Sequence, residues 1–134
     1  NMLIGVPRES YPGENRVSLI PSDVKKLTKF GAEILIESGA GANAGFSDDE
    51  YVQSGARIST NREELLAASD IILRLRKPPA EEIGNLKKNS IHISYLDPFN
   101  ERELLEEFRQ NEITAISMEM IPRTTRAQKM DALS

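Results

Sequence analysis

Near the carboxyl end of the chain stand Arg123, Gln128, Asp131 and Ser134, an arginine, an amide, a carboxylate and a hydroxyl within twelve residues. Gln128, Asp131 and Ser134 recur at intervals of three, so on a helix they point to roughly one side. Such a face offers donors and acceptors for an amide or a ribose. It offers no activated nucleophile, because no histidine adjoins Ser134 to serve as its base. On physical grounds alone a polar face on a terminal helix is also an ordinary solvated surface.

Other groups invite a functional reading beside a structural one. Arg8, Glu9, Glu14, Asn15 and Arg16 crowd the loop after the first strand. Arg16 could clamp a carboxylate or phosphate with its two-pronged guanidinium, or pair with the acids of its own loop. Arg74 and Arg76, two apart at a strand end with Lys77 following, would share a face by strand alternation and could hold an anion, or serve as rim charges. Gly39, Gly41 and Gly45 follow a strand and precede a helix, the setting of a phosphate cradle. The third glycine falls one residue late for the G-x-G-x-x-G fingerprint, which favours a plain turn. His92 lies in an apolar strand with neither a partnered acid nor a second ligand beside it, and reads as structural.

The elements that must position these groups follow from periodicity and punctuation. Apolar runs at 2–6, 32–37, 57–59, 71–75, 91–96 and 113–118 read as strands. A helix is expected at 21–31, with Pro21 in its first turn and Gly31 past its end. Capping boxes at Ser47 with Glu50 and Thr60 with Glu63, and a variant at Asn100 with Glu103, announce three more helices. Pro78 and Pro79 before Glu81 and Glu82 suggest another, with acids at the positive end of its dipole. Strands alternating with helices predict a three-layer α/β domain, a mainly parallel sheet of about six strands with helices on both faces, Rossmann-like or flavodoxin-like without the glycine fingerprint.

The 134 residues suffice for one core, since a domain of this size buries roughly two-thirds of its unfolded surface. Seventeen basic against twenty-one acidic residues give a net charge of −4, the opposite of a nucleic-acid binder. The absence of cysteine excludes disulfides, thiolate metal sites and cysteine nucleophiles. No apolar run is long enough to span a bilayer, and no basic segment followed by an apolar one precedes the first strand, so an export signal is not expected.

Met118-Glu119-Met120-Ile121-Pro122-Arg123, followed by Arg126-Ala127-Gln128-Lys129-Met130-Asp131-Ala132-Leu133-Ser134, resembles the loop and helix of the alpha subunit of proton-translocating NAD(P) transhydrogenases. Ile4-Gly5-Val6-Pro7-Arg8-Glu9, Glu14-Asn15-Arg16-Val17-Ser18 and Glu37-Ser38-Gly39-Ala40-Gly41-Ala42 are similar to the N-terminal region that this subunit shares with alanine dehydrogenase. The resemblance covers the chain from Met2 onward. It implies that Arg123, Gln128, Asp131 and Ser134 bind the cofactor NAD(H) at its nicotinamide end, with Gln128 and Asp131 closest to catalysis. Hydride transfer would belong to the nicotinamides, and the protein would supply orientation. The resemblance further implies NADP(H) on a partner subunit or domain, membrane-embedded partner subunits, a homodimer, and a cytoplasmic position peripheral to the membrane; no metal and no nucleic acid are implied.

An alanine dehydrogenase is the alternative within the family. Arg16 matches that enzyme's substrate arginine, but its substrate lysine would fall at Arg76 and its catalytic histidine at Asp97, five residues after His92. A non-catalytic α/β interaction module is the alternative outside enzymology. Residues 2–122 are expected to form the N-terminal domain, and 123–134 a polar helical arm leading to a dinucleotide-binding domain that lies beyond Ser134 in the family. The chain on its own is therefore expected to be inactive and to bind NAD weakly or not at all. A fluorescence titration of NADH against it checks this, and low-micromolar binding would overturn it.

Overall fold

The computed structural model describes residues 2–121. Six strands, β1 (Leu3–Val6), β2 (Glu33–Glu37), β3 (Arg57–Ser59), β4 (Ile71–Arg76), β5 (Ile91–Tyr95) and β6 (Thr114–Ser117), form one sheet. Its order is β3-β2-β1-β4-β5-β6, and every neighbouring pair is parallel. Five helices make the crossovers: α1 (Pro21–Lys29), α2 (Asp48–Gln53), α3 (Arg62–Ala68), α4 (Ala80–Ile83) and α5 (Arg102–Gln110). Short 3-10 turns follow at Ala42–Ala44 and Met118–Met120. The expected α/β architecture is therefore present, in the doubly wound strand order of dinucleotide-binding sheets.

Alternation along the strands shows how the two faces are covered. Val6, Ile34 and Ile36 join Val24 of α1 and Tyr51 of α2 in one buried cluster. Leu35 packs on the opposite side with Leu65 and Leu66 of α3 and Ile72 of β4. Beyond β5, Leu104 and Phe108 of α5 close over Leu96, Ile113 and Ile83. The inner strands are thus covered from both sides, which is why they read as short apolar runs, whereas the edge strands β3 and β6 stay largely open.

The helices expected at Pro21 and after Pro79 begin there, and of the three expected capping boxes one is present and two differ. Ser47 and Glu50 form the complete capping box, the Ser47 hydroxyl accepting from the Glu50 N–H at 3.2 Å and Glu50 from the Ser47 N–H at 3.0 Å. The cap of α3 is Asn61, not Thr60; its side chain accepts from the Glu64 N–H at 3.1 Å, one residue out of the expected register. Asn100 does not cap α5 either, because it closes a turn, donating from its backbone to the Asp97 carbonyl and from its side chain to the Asp97 carboxylate. Glu101 takes the cap position without a side-chain capping bond.

The tightest packing falls on Gly5 in the centre of the sheet. A Cβ there would stand 2.1 Å from the Ser69 hydroxyl oxygen and 3.0 Å from Leu65 Cδ2. The Ser69 hydroxyl donates to the Leu65 carbonyl at 2.7 Å and is buried, so it has nowhere to go. Gly5→Ala should therefore lower stability by about 1–3 kcal/mol, the usual cost of overpacking a core. Urea unfolding checks this, and Ser69→Gly in the same chain should recover part of the loss.

Candidate functional site

In this strand order β1 and β4 stand at the centre, and their crossovers leave in opposite directions. The crevice between their carboxyl ends is where ligands of such sheets gather. Here it is occupied by the chain's own charged side chains. Glu9, in the loop after β1, accepts from the Leu75 N–H at 2.7 Å and the Arg76 N–H at 3.0 Å, one bond to each carboxylate oxygen. Arg74 is 1% exposed and donates to Glu82 at 3.0 Å and to the Ser10 hydroxyl at 3.3 Å. Arg62 reaches the same Glu82 through two nitrogens, at 2.6 and 3.0 Å, and Glu37 through a third at 2.6 Å. Burial works to raise the Glu82 carboxyl, but the bonds from Arg62 and Arg74 outweigh it and hold the group below its ordinary value.

Arg74 and Arg76 do not share a face. Leu73 pairs with Ile93 and Arg76 with Tyr95, so three steps of β4 match two of β5. This bulge turns Arg76 onto the side of Leu73, away from Arg74. Arg76 instead donates to Glu14 at 2.9 Å and lies over the Tyr11 ring, 4.6 Å from its centroid. Glu14 is also gripped by Arg16 through side-chain bonds of 2.9 and 3.0 Å. Those bonds from Arg16, against burial and with Arg76 adding to them, pull the Glu14 carboxyl down to about 2. The self-paired alternative for Arg16 is the one the structure contains.

The glycine loop likewise carries an internal anion. Gly39, at φ +83°, donates its N–H to Asp48 at 2.9 Å, while Ser38 donates its hydroxyl to the other oxygen at 2.7 Å. At the end of β5 the pattern repeats. Glu119 accepts from the Leu96 N–H at 3.1 Å, the Asp97 N–H at 2.9 Å and the Ser117 hydroxyl. Asp97 itself sits in the left-handed region at φ +54°. The clamps by Glu9 and Glu119 are the features that sequence reasoning missed: each joins residues more than twenty apart, and no spacing rule links them.

A groove of about 700 Å³ lies beside the crevice, floored by Tyr11, Pro12, Pro78, Pro79 and Leu104 and rimmed by the Lys77–Glu101 ion pair. Among the described residues no cluster of three or more His, Asp or Glu is placed to hold a metal ion, and no helix is long and apolar enough to cross a membrane. Arg123, Gln128, Asp131 and Ser134 lie outside the described residues.

The family model for the alanine dehydrogenase/PNT N-terminal domain matches residues 5–134. The chain belongs to that family. It is similar to the NAD(P) transhydrogenase subunit alpha of Cereibacter sphaeroides, 41% identical over 99% of this chain and 25% of the relative. Among solved structures, the transhydrogenase from Sinorhizobium meliloti is 35% identical with a TM-score of 0.87, over 98% of this chain and 39% of that one. An L-alanine dehydrogenase structure is 34% identical with a TM-score of 0.82, over 87% of this chain and 32% of that one. The chain thus spans between a quarter and two-fifths of the length of these relatives.

In this N-terminal domain the single histidine stands back from the carboxyl edge. His92 is 1% exposed, packs on Phe108 at 4.9 Å between ring centroids, and shares a 2.9 Å hydrogen bond with the Ser94 hydroxyl. Burial, aided by the nearby Arg74 charge, lowers its pKa to about 3. It is a neutral core residue, as the sequence implied. An unfolded histidine takes up its proton near 6.5, so the stability His92 contributes is full above that pH and is lost as the pH falls toward 3. Between pH 7 and 5 the unfolding free energy should drop by about 2 kcal/mol from this group. Urea titrations at the two pH values check this, and His92→Leu should flatten the difference.

Proposed function

We propose that this chain is the N-terminal domain of the NAD(H)-binding component of a proton-translocating transhydrogenase, in which hydride passes between NAD(H) and NADP(H). The observation that carries the reading lies at the two positions where an alanine dehydrogenase would keep its lysine and histidine. They hold Arg76, tied to Glu14 and stacked on Tyr11, and Asp97, folded into a turn. With His92 buried and neutral, no described group at the carboxyl edge is set to shuttle a proton to an amino-acid nitrogen. Exchange between two nicotinamides needs no such group.

The edge also suits one end of a dinucleotide and not the other. The amides of Arg8, Gly39, Leu75, Arg76, Leu96 and Asp97 are each already bonded to a carboxylate, from Glu37, Asp48, Glu9 or Glu119. They leave no anion cradle for a pyrophosphate, so the fit is to the nicotinamide and its ribose, with the phosphates held by a further domain. The bound nicotinamide supplies the hydride chemistry. Gln128 and Ser134 bring amide and hydroxyl groups suited to the carboxamide, Asp131 an acceptor for ribose hydroxyls, and Arg123 a fixed donor fork. Orientation is their whole contribution. The NADP(H)-binding and membrane-embedded subunits would be partners, the component a homodimer, and its place the cytoplasmic face of the membrane.

In the complete subunit assembled with its partners, Gln128→Ala or Asp131→Ala should slow hydride transfer on the order of tenfold to a hundredfold while leaving the circular dichroism spectrum unchanged. Unchanged turnover in both variants would overturn the site. NADH oxidation that depends on pyruvate and ammonium would favour the alanine dehydrogenase alternative.

A further inference from the structure

Past Ser117 the chain leaves strand β6, which among the described residues has a neighbour on one side only. The turn that follows is exposed at Met120, anchored by the buried Met118, and tied to β5 by the side chain of Glu119. The Glu119 carboxylate spreads its two oxygens over two consecutive amides, Leu96 and Asp97, and takes the Ser117 hydroxyl as well. Two parallel N–H donors require two acceptors side by side, which a carboxylate provides and an amide does not. The left-handed backbone at Asp97 turns its N–H toward the same carboxylate, so strand, turn and acid are mutually fitted.

We infer that Glu119 is a positioning residue, whose clamp on the end of β5 fixes the point from which the chain carries Arg123, Gln128, Asp131 and Ser134 to the nicotinamide. The inference rests on the function proposed above. Arg123 follows Glu119 by four residues in the sequence. A displacement of about 1 Å in orienting groups costs up to a hundredfold in rate, whereas affinity held largely by phosphate contacts on another domain is spared.

Asp70 supplies a control at the opposite, amino edge of the sheet, where its carboxylate accepts from the Leu3 N–H at 2.8 Å and pairs with Lys87. In the complete subunit with its partners, Glu119→Gln should lower kcat for hydride transfer tenfold or more and change the KM for NADH by less than threefold. Glu119→Asp, which keeps both acceptors on a shorter arm, should fall between that variant and the parent. Asp70→Asn should lower the urea midpoint and leave kcat and KM within twofold of the parent. Parental kcat in Glu119→Gln, or an equal kcat loss in Asp70→Asn, overturns the positioning role. If Glu119→Gln does not fold, the kcat of Glu119→Asp decides, a parental value overturning the role. Should the parent subunit transfer no hydride, or Gln128→Ala and Asp131→Ala be without effect, the underlying function fails instead.

Discussion

A parallel sheet ends at its carboxyl edge with backbone N–H groups that no neighbouring strand can satisfy, and buried donors of this kind cannot be left unpaired. In many doubly wound proteins a bound phosphate meets part of that demand. Here the demand is met from within, by Glu37 at the exit of β1, Asp48 at β2, Glu9 at β4 and Glu119 at β5. The rest of the edge follows from this choice. Each carboxylate must be brought from another loop, so the loops are pinned to strand ends that are distant in sequence. Glu37 also carries a cation, since Arg62 reaches it at 2.6 Å, and so joins the arginine cluster beside the crevice.

The buried centre of that cluster is Arg74, whose desolvation is partly offset by Glu82, a carboxylate that Arg62 shares and that links Arg62 on to Glu37. Such a network is a weak source of net stability, because the bonds it gains roughly repay the water it loses. Its effect is on geometry. Arg62 begins α3, Glu82 lies in α4, Glu37 ends β2 and Arg74 lies in β4, so four elements are held in one register at the point where the crossovers diverge. Losing one member would leave an uncompensated buried charge, so the network tolerates only its present arrangement.

The architecture was legible in the sequence because period and punctuation are local signals. The six strands and the Ser47 capping box fall where apolar runs and spacing place them. Three local readings slipped for identifiable reasons. The extra residue in β4 reversed the face of Arg76, and alternation cannot announce a bulge. Asn61 capped α3 one residue late because its carbonyl oxygen accepts as well as the Thr60 hydroxyl would have done. Asn100 was taken by the Asp97 turn before it could cap α5. The clamps by Glu9 and Glu119 were not legible at all, since what defines them is the meeting of a loop acid with amides on another strand. The four residues that the sequence assigned to the nicotinamide were legible only through a family motif, as their spacing alone fits a solvated helix equally well.

Hydride transfer between two nicotinamides asks of a protein an edge without stray acid–base groups near the reacting carbons. The described edge meets that condition by two separate means. Its carboxylates are committed to amides or guanidinium groups, and the bonds that commit them hold Glu14, Glu82 and Glu119 ionised well below neutral pH. Its histidine is placed in the core on Phe108 and kept neutral. An alanine dehydrogenase needs the reverse, a titrating group close to the substrate nitrogen. The same sheet can serve either chemistry, and the difference lies in which groups at its carboxyl edge remain free to exchange a proton.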